Sequence, residues 1–186
     1  SDVTAVWLAA GEGRYEVLQY LLDKDASVHM KRSDGVTPLM SACTGTGPGQ
    51  YEVIQILLEE YKNDSEWINA QGTDDGLTAL VRLCETPGSE TLPSIKLLVE
   101  SGADVNIVSS QHGFSALMMA AANGYTETVE FLVENGANVN HQTIGDQSFA
   151  LMYAAVAGHI DVINSLIAAG ADVSLKYGTG GTVLTE

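Results

Sequence analysis

The chain has 186 residues, of which 45% are hydrophobic and 17% are charged, and its formal net charge is −16 at pH 7. This charge opposes binding to nucleic-acid phosphates and to anionic membrane surfaces, and it attracts basic proteins or peptides. No stretch approaches the roughly 18 consecutive apolar residues that a membrane span needs, so neither nucleic-acid binding nor membrane insertion is expected.

Five pairs of helices are predicted along the chain. The first helix of each pair is short and apolar, and these helices start near Thr4, Thr37, Thr78, Ser115 and Phe149. The second helices carry apolar doublets at Leu21-Leu22, Leu57-Leu58, Leu97-Leu98, Leu132-Val133 and Leu166-Ile167. Residues that favour a left-handed backbone conformation are predicted to end both kinds of helix. These residues are Gly13, Gly124 and Gly158 for the first helices, and Asp25, Gly102, Gly136 and Gly170 for the second.

The helix pairs repeat with a fixed period. The segment SALMMAAANGYTETVEFLVENGANVN from Ser115 is followed by FALMYAAVAGHIDVINSLIAAGADVS from Phe149, 34 residues later. Self-similarity at this period indicates one small unit stacked on copies of itself. Small residues also recur at one register of the first helix, where they let neighbouring helices approach closely. These residues are Ala10, Cys43, Cys84, Ala121 and Ala155.

In these segments, and in TPLMSAC from Thr37, the chain resembles the ankyrin repeat family. The resemblance covers essentially the whole chain. It implies an all-α repeat solenoid, in which helix-turn-helix units stack with β-hairpin-like fingers between them and form a concave face. It also implies one domain, residues 1–186, with repeats at about 1–31, 32–71, 74–108, 110–142 and 144–176 and a partial sixth at 177–186.

The chain departs from the family pattern at several places. The usual histidine after Thr-Pro-Leu is replaced by Trp7, Met40, Val81, Met118 and Met152. Two helix links are long, Thr44–Gln50 and Thr86–Leu92, and Tyr61–Trp67 is an insertion whose Trp67 is expected to pack back onto the stack. The segment Gly181-Thr182-Val183-Leu184 resembles the opening of a sixth first helix, which favours a fragment of a longer array.

No constellation of residues indicates catalysis, a metal site or a cofactor. Gly45–Gly49 is glycine-rich but lacks the Lys-Ser/Thr of a phosphate loop, and the acids at 64, 66, 74 and 75 do not fit a calcium loop. His29 and His159 are expected to form hydrogen bonds within the scaffold. Cys43 and Cys84 occupy one register of adjacent repeats, too far apart for a disulfide, so they predict buried thiols in a reducing compartment, the cytosol or nucleus.

In the resembled fold the finger residues and the exposed residues of the first helix form the concave face, which implies a partner-binding groove there. Its apolar or aromatic members are Val36, Leu77, Phe114, Met119 and Tyr153. Arg82, His112 and Asn123 lie at neighbouring positions of the same registers. Four acids, Asp34, Asp75, Glu85 and Asp146, have no evident architectural role in the sequence and are therefore predicted to contact the partner. Apolar anchors inside a polar rim are typical of peptide-binding grooves.

These observations predict a non-catalytic protein-interaction scaffold that binds a partner protein or peptide with basic and apolar residues on its acidic concave face. The isolated domain is expected to be monomeric and to need no cofactor. Two alternatives are a structural spacer within a longer repeat array and a regulatory module of a larger enzyme or channel. The sequence does not identify the partner.

Overall fold

The computed structural model describes residues 4–45, 47–62, 64–86, 91–178 and 180–182. In these ranges the chain forms eleven helices and one antiparallel hairpin. They are α1 (Ala5–Gly11), α2 (Tyr15–Leu22), α3 (Pro38–Thr44), α4 (Gln50–Glu60), α5 (Ser65–Ile68), α6 (Ala79–Glu85), α7 (Thr91–Glu100), α8 (Ala116–Ala122), α9 (Thr126–Glu134), α10 (Ala150–Ala157), α11 (Ile160–Ala168), β1 (Lys176–Tyr177) and β2 (Gly181–Thr182). Among the described helices, none has both the length and the apolar character needed to cross a membrane.

The chain divides into two compact units, unit 1 (Ser1–Asp104) and unit 2 (Val105–Glu186). In unit 1, the inner helices α1, α3 and α6 pack side by side, and each packs against the outer helix that follows it, α2, α4 or α7. Unit 2 repeats this arrangement with inner helices α8 and α10 and outer helices α9 and α11. The predicted all-α repeat stack is therefore confirmed within each unit, whereas the single-domain organisation stays a prediction.

The inner helices begin where the sequence predicts. The side-chain oxygens of Thr4, Thr37, Thr78 and Ser115 each accept a hydrogen bond from the backbone N–H three residues on, at 3.2–3.3 Å. Such caps satisfy amides that have no partner inside the helix. Phe149 occupies the same position before α10 but has no side-chain oxygen, so that helix begins without this bond.

Left-handed residues end the helices as predicted. After α2, Asp25 adopts φ = 61°, and glycines fill the equivalent positions after α7, α9 and α11. The three glycines predicted to end inner helices also have positive φ. The backbone pattern is thus kept even where an aspartate replaces the glycine, because aspartate is one of the few other residues that tolerate a positive φ.

The long link after α3 packs against the shorter link of the preceding repeat. Gln50 Nε2 donates a hydrogen bond to the carbonyl of Gly11 at 2.8 Å. A Cβ atom placed on Gly47 would lie 2.1 Å from the Glu12 carbonyl oxygen. The lack of space for a Cβ atom therefore explains why glycine occupies position 47. The second long link, Thr86–Leu92, falls largely on residues 87–90, outside the described residues.

The insertion Tyr61–Trp67 docks onto repeat one, as predicted for Trp67. The Tyr61 ring is fully buried, and its hydroxyl donates to the Val28 carbonyl at 2.9 Å. Trp67 stacks on Tyr61 with ring centroids 5.8 Å apart, and His29 packs edge-on against both rings. The Lys31 ammonium lies 5.1 Å from the Trp67 ring centroid. The insertion thereby forms an aromatic cluster on the surface of unit 1.

An asparagine ladder joins successive repeats within each unit. Asn69 Nδ2 donates to the Gly102 carbonyl at 3.0 Å, and its Oδ1 accepts from the Asp104 N–H at 2.8 Å. In unit 2 the same pair of bonds links Asn106 to residues 136 and 138, and Asn140 to residues 170 and 172. His29 occupies the ladder position of repeat one, where the aromatic cluster makes the contacts instead.

The expected opening of a sixth inner helix cannot be followed to its end, because residues 183–186 lie outside the described residues. Gly181 and Thr182 form β2 and pair with β1, with Lys176 opposite Thr182 and Tyr177 opposite Gly181. A further hairpin therefore follows α11.

Candidate functional site

Four fingers precede the inner helices, at residues 32–36, 72–77, 109–114 and 143–148. Each is closed by a hydrogen bond from the backbone N–H of its first residue to the carbonyl of its last, at 2.8–3.1 Å. Neighbouring fingers are also joined: in unit 1, Thr73 N–H donates to Asp34 C=O at 2.8 Å, and in unit 2, Ile144 N–H donates to His112 C=O at 2.9 Å. The finger backbones are thus held in place before any partner binds.

Three of the four acids that the sequence analysis assigned to a partner have architectural roles. Asp34, Asp75 and Asp146 each accept a hydrogen bond from the backbone N–H two residues on, at 3.0–3.3 Å. This contact, an Asx turn, fixes the tip of the finger. The expectation that these carboxylates lack an architectural role was therefore wrong. Glu85 is exposed at the end of α6.

In unit 1 the finger acids are also paired with arginines. Arg82 Nη2 lies 2.6 Å from Asp75 Oδ2, and the Arg82 side chain is only 12% exposed. Arg32 pairs with Asp34 through its guanidinium, which also lies 4.7 Å from the Trp7 ring centroid. The Arg32 hydrogen bonds hold the pKa of Asp34 below its usual value. Internal cations thus neutralise the unit 1 members Asp34 and Asp75 of the predicted site, while Val36 and Leu77 are half-buried beside them.

The predicted residues of unit 2 form a different surface, which we name the unit 2 patch. It consists of His112, Phe114, Met119, Asn123, Asp146 and Tyr153. Phe114, Met119 and Tyr153 are half-buried, and the other three are exposed. The Phe114 backbone is fixed at both ends by Ser109, whose hydroxyl accepts from Phe114 N–H at 3.0 Å, while its own N–H donates to Phe114 C=O at 2.8 Å. The His112 ring lies 5.6 Å from that of Phe114.

Asp146 is held by hydroxyl groups. Thr143 Oγ1 donates to Asp146 Oδ1, and Ser148 Oγ donates to Oδ2 at 2.9 Å. These bonds hold the pKa of Asp146 below its usual value. Burial raises the pKa of the Tyr153 hydroxyl, which also interacts with Ser148 and with the negative charge of Asp146. Asp146, Ser148 and Tyr153 are therefore close enough to interact.

Several structural roles on or beside this surface were not assigned from the sequence. Ile144 lies two residues before Asp146 on the same finger and is 66% exposed. Gln147 carries the positive φ of 56° that glycine provides at the other finger tips. Thr143 and Ser148 orient Asp146, a role that the spacing Thr-x-x-Asp-x-Ser could have indicated through its turn chemistry.

Chemistry other than binding finds little support in the described residues. In that part of the chain, no group of three or more His, Cys, Asp and Glu side chains is arranged to hold a metal ion. Cys43 and Cys84 are free and buried, and burial raises the pKa of both thiols, which opposes nucleophilic use. His159 and His141 contact the carbonyls of Ala122 and Gly113, so both serve the scaffold.

A cleft of about 290 Å³ in unit 2 lies beside the asparagine ladder. Its lining includes Asn106, Asn138 and His141, and it shares no residue with the unit 2 patch. The ladder hydrogen bonds already use the two asparagines, so this cleft is a feature of repeat packing.

The family comparison agrees with the fold. A family model described as ankyrin repeats, three copies, matches residues 1–67, 49–143 and 92–177. No curated protein matches the chain.

Proposed function

The chain belongs to the ankyrin-repeat family, whose repeats are generally protein–protein interaction modules and typically non-catalytic, and from this premise we propose that it is an interaction scaffold. Its partner would be a protein or peptide segment with basic and apolar residues, bound through the unit 2 patch. The observation that carries the proposal is the exposure of part of Phe114, Met119 and Tyr153 on fingers and helices whose backbones are already fixed.

Preorganisation supports this function. Association is weakened by the entropy lost when loops and side chains become ordered. On the unit 2 patch, hydrogen bonds within the finger and to the next finger have already ordered the backbone around Phe114. Aromatic and methionine side chains are also common energetic anchors of protein interfaces. The patch therefore offers apolar anchors at a small ordering cost.

The distribution of charge supports a basic partner. Between Lys96 and Lys176 the sequence contains no lysine or arginine, while acidic residues recur throughout the same stretch. A negative electrostatic field accelerates the encounter with positively charged partners and disfavours the binding of nucleic acid. The same field repels a second copy of the chain, and a monomer is accordingly part of the proposal.

The buried free thiols of Cys43 and Cys84 suit a reducing compartment, and we include the cytosol or nucleus in the proposal. Unfolding the purified protein without reductant should release two reactive thiols per chain. A value near zero in a thiol-reactive dye assay would contradict this part of the proposal.

The binding function is tested by selecting peptides from a random display library on the immobilised protein. The affinity of the selected peptides is then measured by fluorescence polarisation for the wild type, Phe114→Ala and the control Phe131→Ala. Phe131 is half-buried on the outer helix α9. We expect Phe114→Ala to weaken binding at least about tenfold and Phe131→Ala to leave it within about twofold. Equal affinity for wild type and Phe114→Ala would refute the assignment to the unit 2 patch.

One observation favours the spacer alternative. Val156, Ile160 and Ile167, on α10 and α11, are 73%, 69% and 48% exposed. Ile163 is also half-buried, although Val129, at its position in the preceding repeat, is fully buried. Sedimentation velocity over a range of protein concentrations distinguishes the two alternatives. Self-association of the wild type that is abolished in Ile167→Glu would favour stacking against another repeat unit over peptide binding.

A further inference from the structure

The fingers of the two units differ in how their acidic tip is neutralised. In unit 1, Asp75 is followed seven residues later by Arg82, whose guanidinium pairs with it at 2.6 Å. In unit 2, Asp146 is followed at the same spacing by Tyr153. The finger acid is therefore paired with an internal cation in one unit, whereas in the other unit Tyr153 occupies the sequence position of that cation.

No internal cation takes the place of Arg82 near Asp146. Lys176 is the single lysine or arginine in the sequence of unit 2, and none of the ion pairs among the described residues includes Asp146. The carboxylate accepts from two hydroxyls and one N–H, yet Asp146 remains exposed. An ionised carboxylate offers about four acceptor positions, so Asp146 retains capacity for a further donor.

Unit 1 shows which group fits such a position. Its finger acids bind guanidinium twice, through Arg82 on Asp75 and through Arg32 on Asp34. Arg32 also lies over an aromatic ring, 4.7 Å from the Trp7 centroid. In the second of these pairs a finger carboxylate and an aromatic ring of the preceding inner helix hold the same guanidinium. Unit 2 has a finger carboxylate, Asp146, and an aromatic residue on the inner helix that follows it, Tyr153, without an arginine.

We propose that Asp146 and Tyr153 form a receptor for an arginine side chain of the partner, with the guanidinium on the Asp146 carboxylate and against the Tyr153 ring. The inference rests on the proposed function and specifies its partner chemistry. Arginine is preferred over lysine because its guanidinium can donate to the remaining acceptor position of the carboxylate while its planar face stacks on an aromatic ring. The hydroxyls of Thr143 and Ser148 orient the carboxylate before the guanidinium arrives.

The first test follows backbone amide shifts by NMR while N-acetyl-arginine amide is added. The neutral isostere N-acetyl-citrulline amide and N-acetyl-lysine amide serve as comparison probes. Saturable shifts should be confined to residues around Asp146, Ser148 and Tyr153, with arginine binding most strongly and citrulline not at all. Asp146→Asn should weaken arginine binding at least about tenfold, because it removes the charge of the acceptor.

Asp172→Asn is the matched control. Asp172 is an exposed acid of the same unit and also accepts from the N–H and hydroxyl of a serine two residues on, at 2.8 and 2.6 Å. The variant removes the same charge at a place outside the unit 2 patch. We expect arginine binding to be unchanged in Asp172→Asn. An equal loss in both variants would show that the probe responds only to net charge and would overturn the proposal.

A second variant occupies the proposed site with an arginine of the protein itself. Tyr153→Arg places in unit 2 the arginine that unit 1 has at position 82, and we expect it to pair with Asp146 and abolish probe binding while the protein stays folded. Tyr153→Phe keeps the ring and should retain binding within about threefold. Retained binding in Tyr153→Arg would overturn the proposal.

The outcome separates this inference from the proposed function. If N-acetyl-arginine amide does not bind while selected peptides still depend on Phe114, the interaction function stands and the arginine receptor is wrong. If the peptides do not depend on Phe114 either, the assignment of the partner surface to the unit 2 patch fails as well.

Discussion

At the scale of single residues, the finger acids show that a side chain predicted to contact a partner can also have a structural role. Asp34, Asp75 and Asp146 were predicted to contact the partner because the sequence assigns them no evident architectural role. The structure shows that each also fixes its own finger tip through the N–H two residues on. The third finger uses the Ser109 hydroxyl for a comparable bond to Phe114 N–H. An aspartate in a turn therefore does not by itself indicate a binding site.

The charge of Asp34 makes a pH-dependent contribution to stability. Its pKa is lowered in the folded state, chiefly by the Arg32 hydrogen bonds, so the stabilisation is present above the unfolded pKa of about 3.9. It is lost as the pH falls through the lower folded value. We expect Asp34→Asn to be less stable than the wild type at pH 7, by a few tenths to about 1 kcal/mol. In urea titrations this difference should shrink as the pH falls below the unfolded pKa of about 3.9. A difference that did not shrink would assign the effect to shape rather than charge.

At the scale of elements, the sequence predicted what repeats and missed what does not. The period of 34, the caps and the left-handed helix ends placed all five helix pairs, because each depends on residues close together in the chain. The bonds between fingers could not be predicted, because backbone groups carry no sequence signal. Pairing of Arg82 with Asp75 could not be predicted either, since both residues were assigned only to an exposed register.

The glycine-rich link offers a test of packing between elements. Ala at position 47 would place its Cβ 2.1 Å from the Glu12 carbonyl oxygen and 3.0 Å from the Gly13 nitrogen. The backbone must shift to relieve this contact, and overpacking of this kind costs about 1–3 kcal/mol. We therefore expect Gly47→Ala to lower the free energy of unfolding by that amount. Pro48→Ala, at an exposed position of the same link, is the control and should change it by less than about 0.5 kcal/mol.

The docked insertion offers a second test. Tyr61→Phe removes the bond from the buried hydroxyl to the Val28 carbonyl and leaves that carbonyl without this donor. We expect a loss of about 1–3 kcal/mol in the free energy of unfolding. Trp67 stacks on Tyr61, so its side chain should also become more accessible and its fluorescence should be quenched more strongly by iodide. Tyr20→Phe, at a side chain 63% exposed, should leave both measurements near wild type. Equal effects of the two substitutions would contradict the docking.

At the scale of the whole molecule, charge dominates. The chain carries a net charge of −16, and its acids outnumber its basic residues by 24 to 8. Self-repulsion of this kind weakens the compact state, and salt screens it over a Debye length of about 10 Å at 0.1 M. High net charge should therefore make stability sensitive to ionic strength.

We expect the melting temperature to rise by several degrees between about 10 mM and 200 mM sodium chloride, over which the Debye length shortens to less than half. Differential scanning calorimetry measures the rise, and sucrose at matched osmolality is the control for effects other than screening. A melting temperature that fell with added salt would mean that attractive pairs, such as Arg82–Asp75, outweigh the net repulsion.

The asparagine ladder has a consequence for how such a chain can change over generations. Each rung joins one asparagine to a glycine carbonyl and an amide in the next helix pair. In unit 2 the same two bonds recur after 34 residues, so a DNA segment that encodes one period also encodes a complete donor and acceptor set. A duplication or deletion of one period would leave every remaining rung with its partners. Whole periods can therefore be gained or lost without breaking the ladder bonds of the repeats that remain.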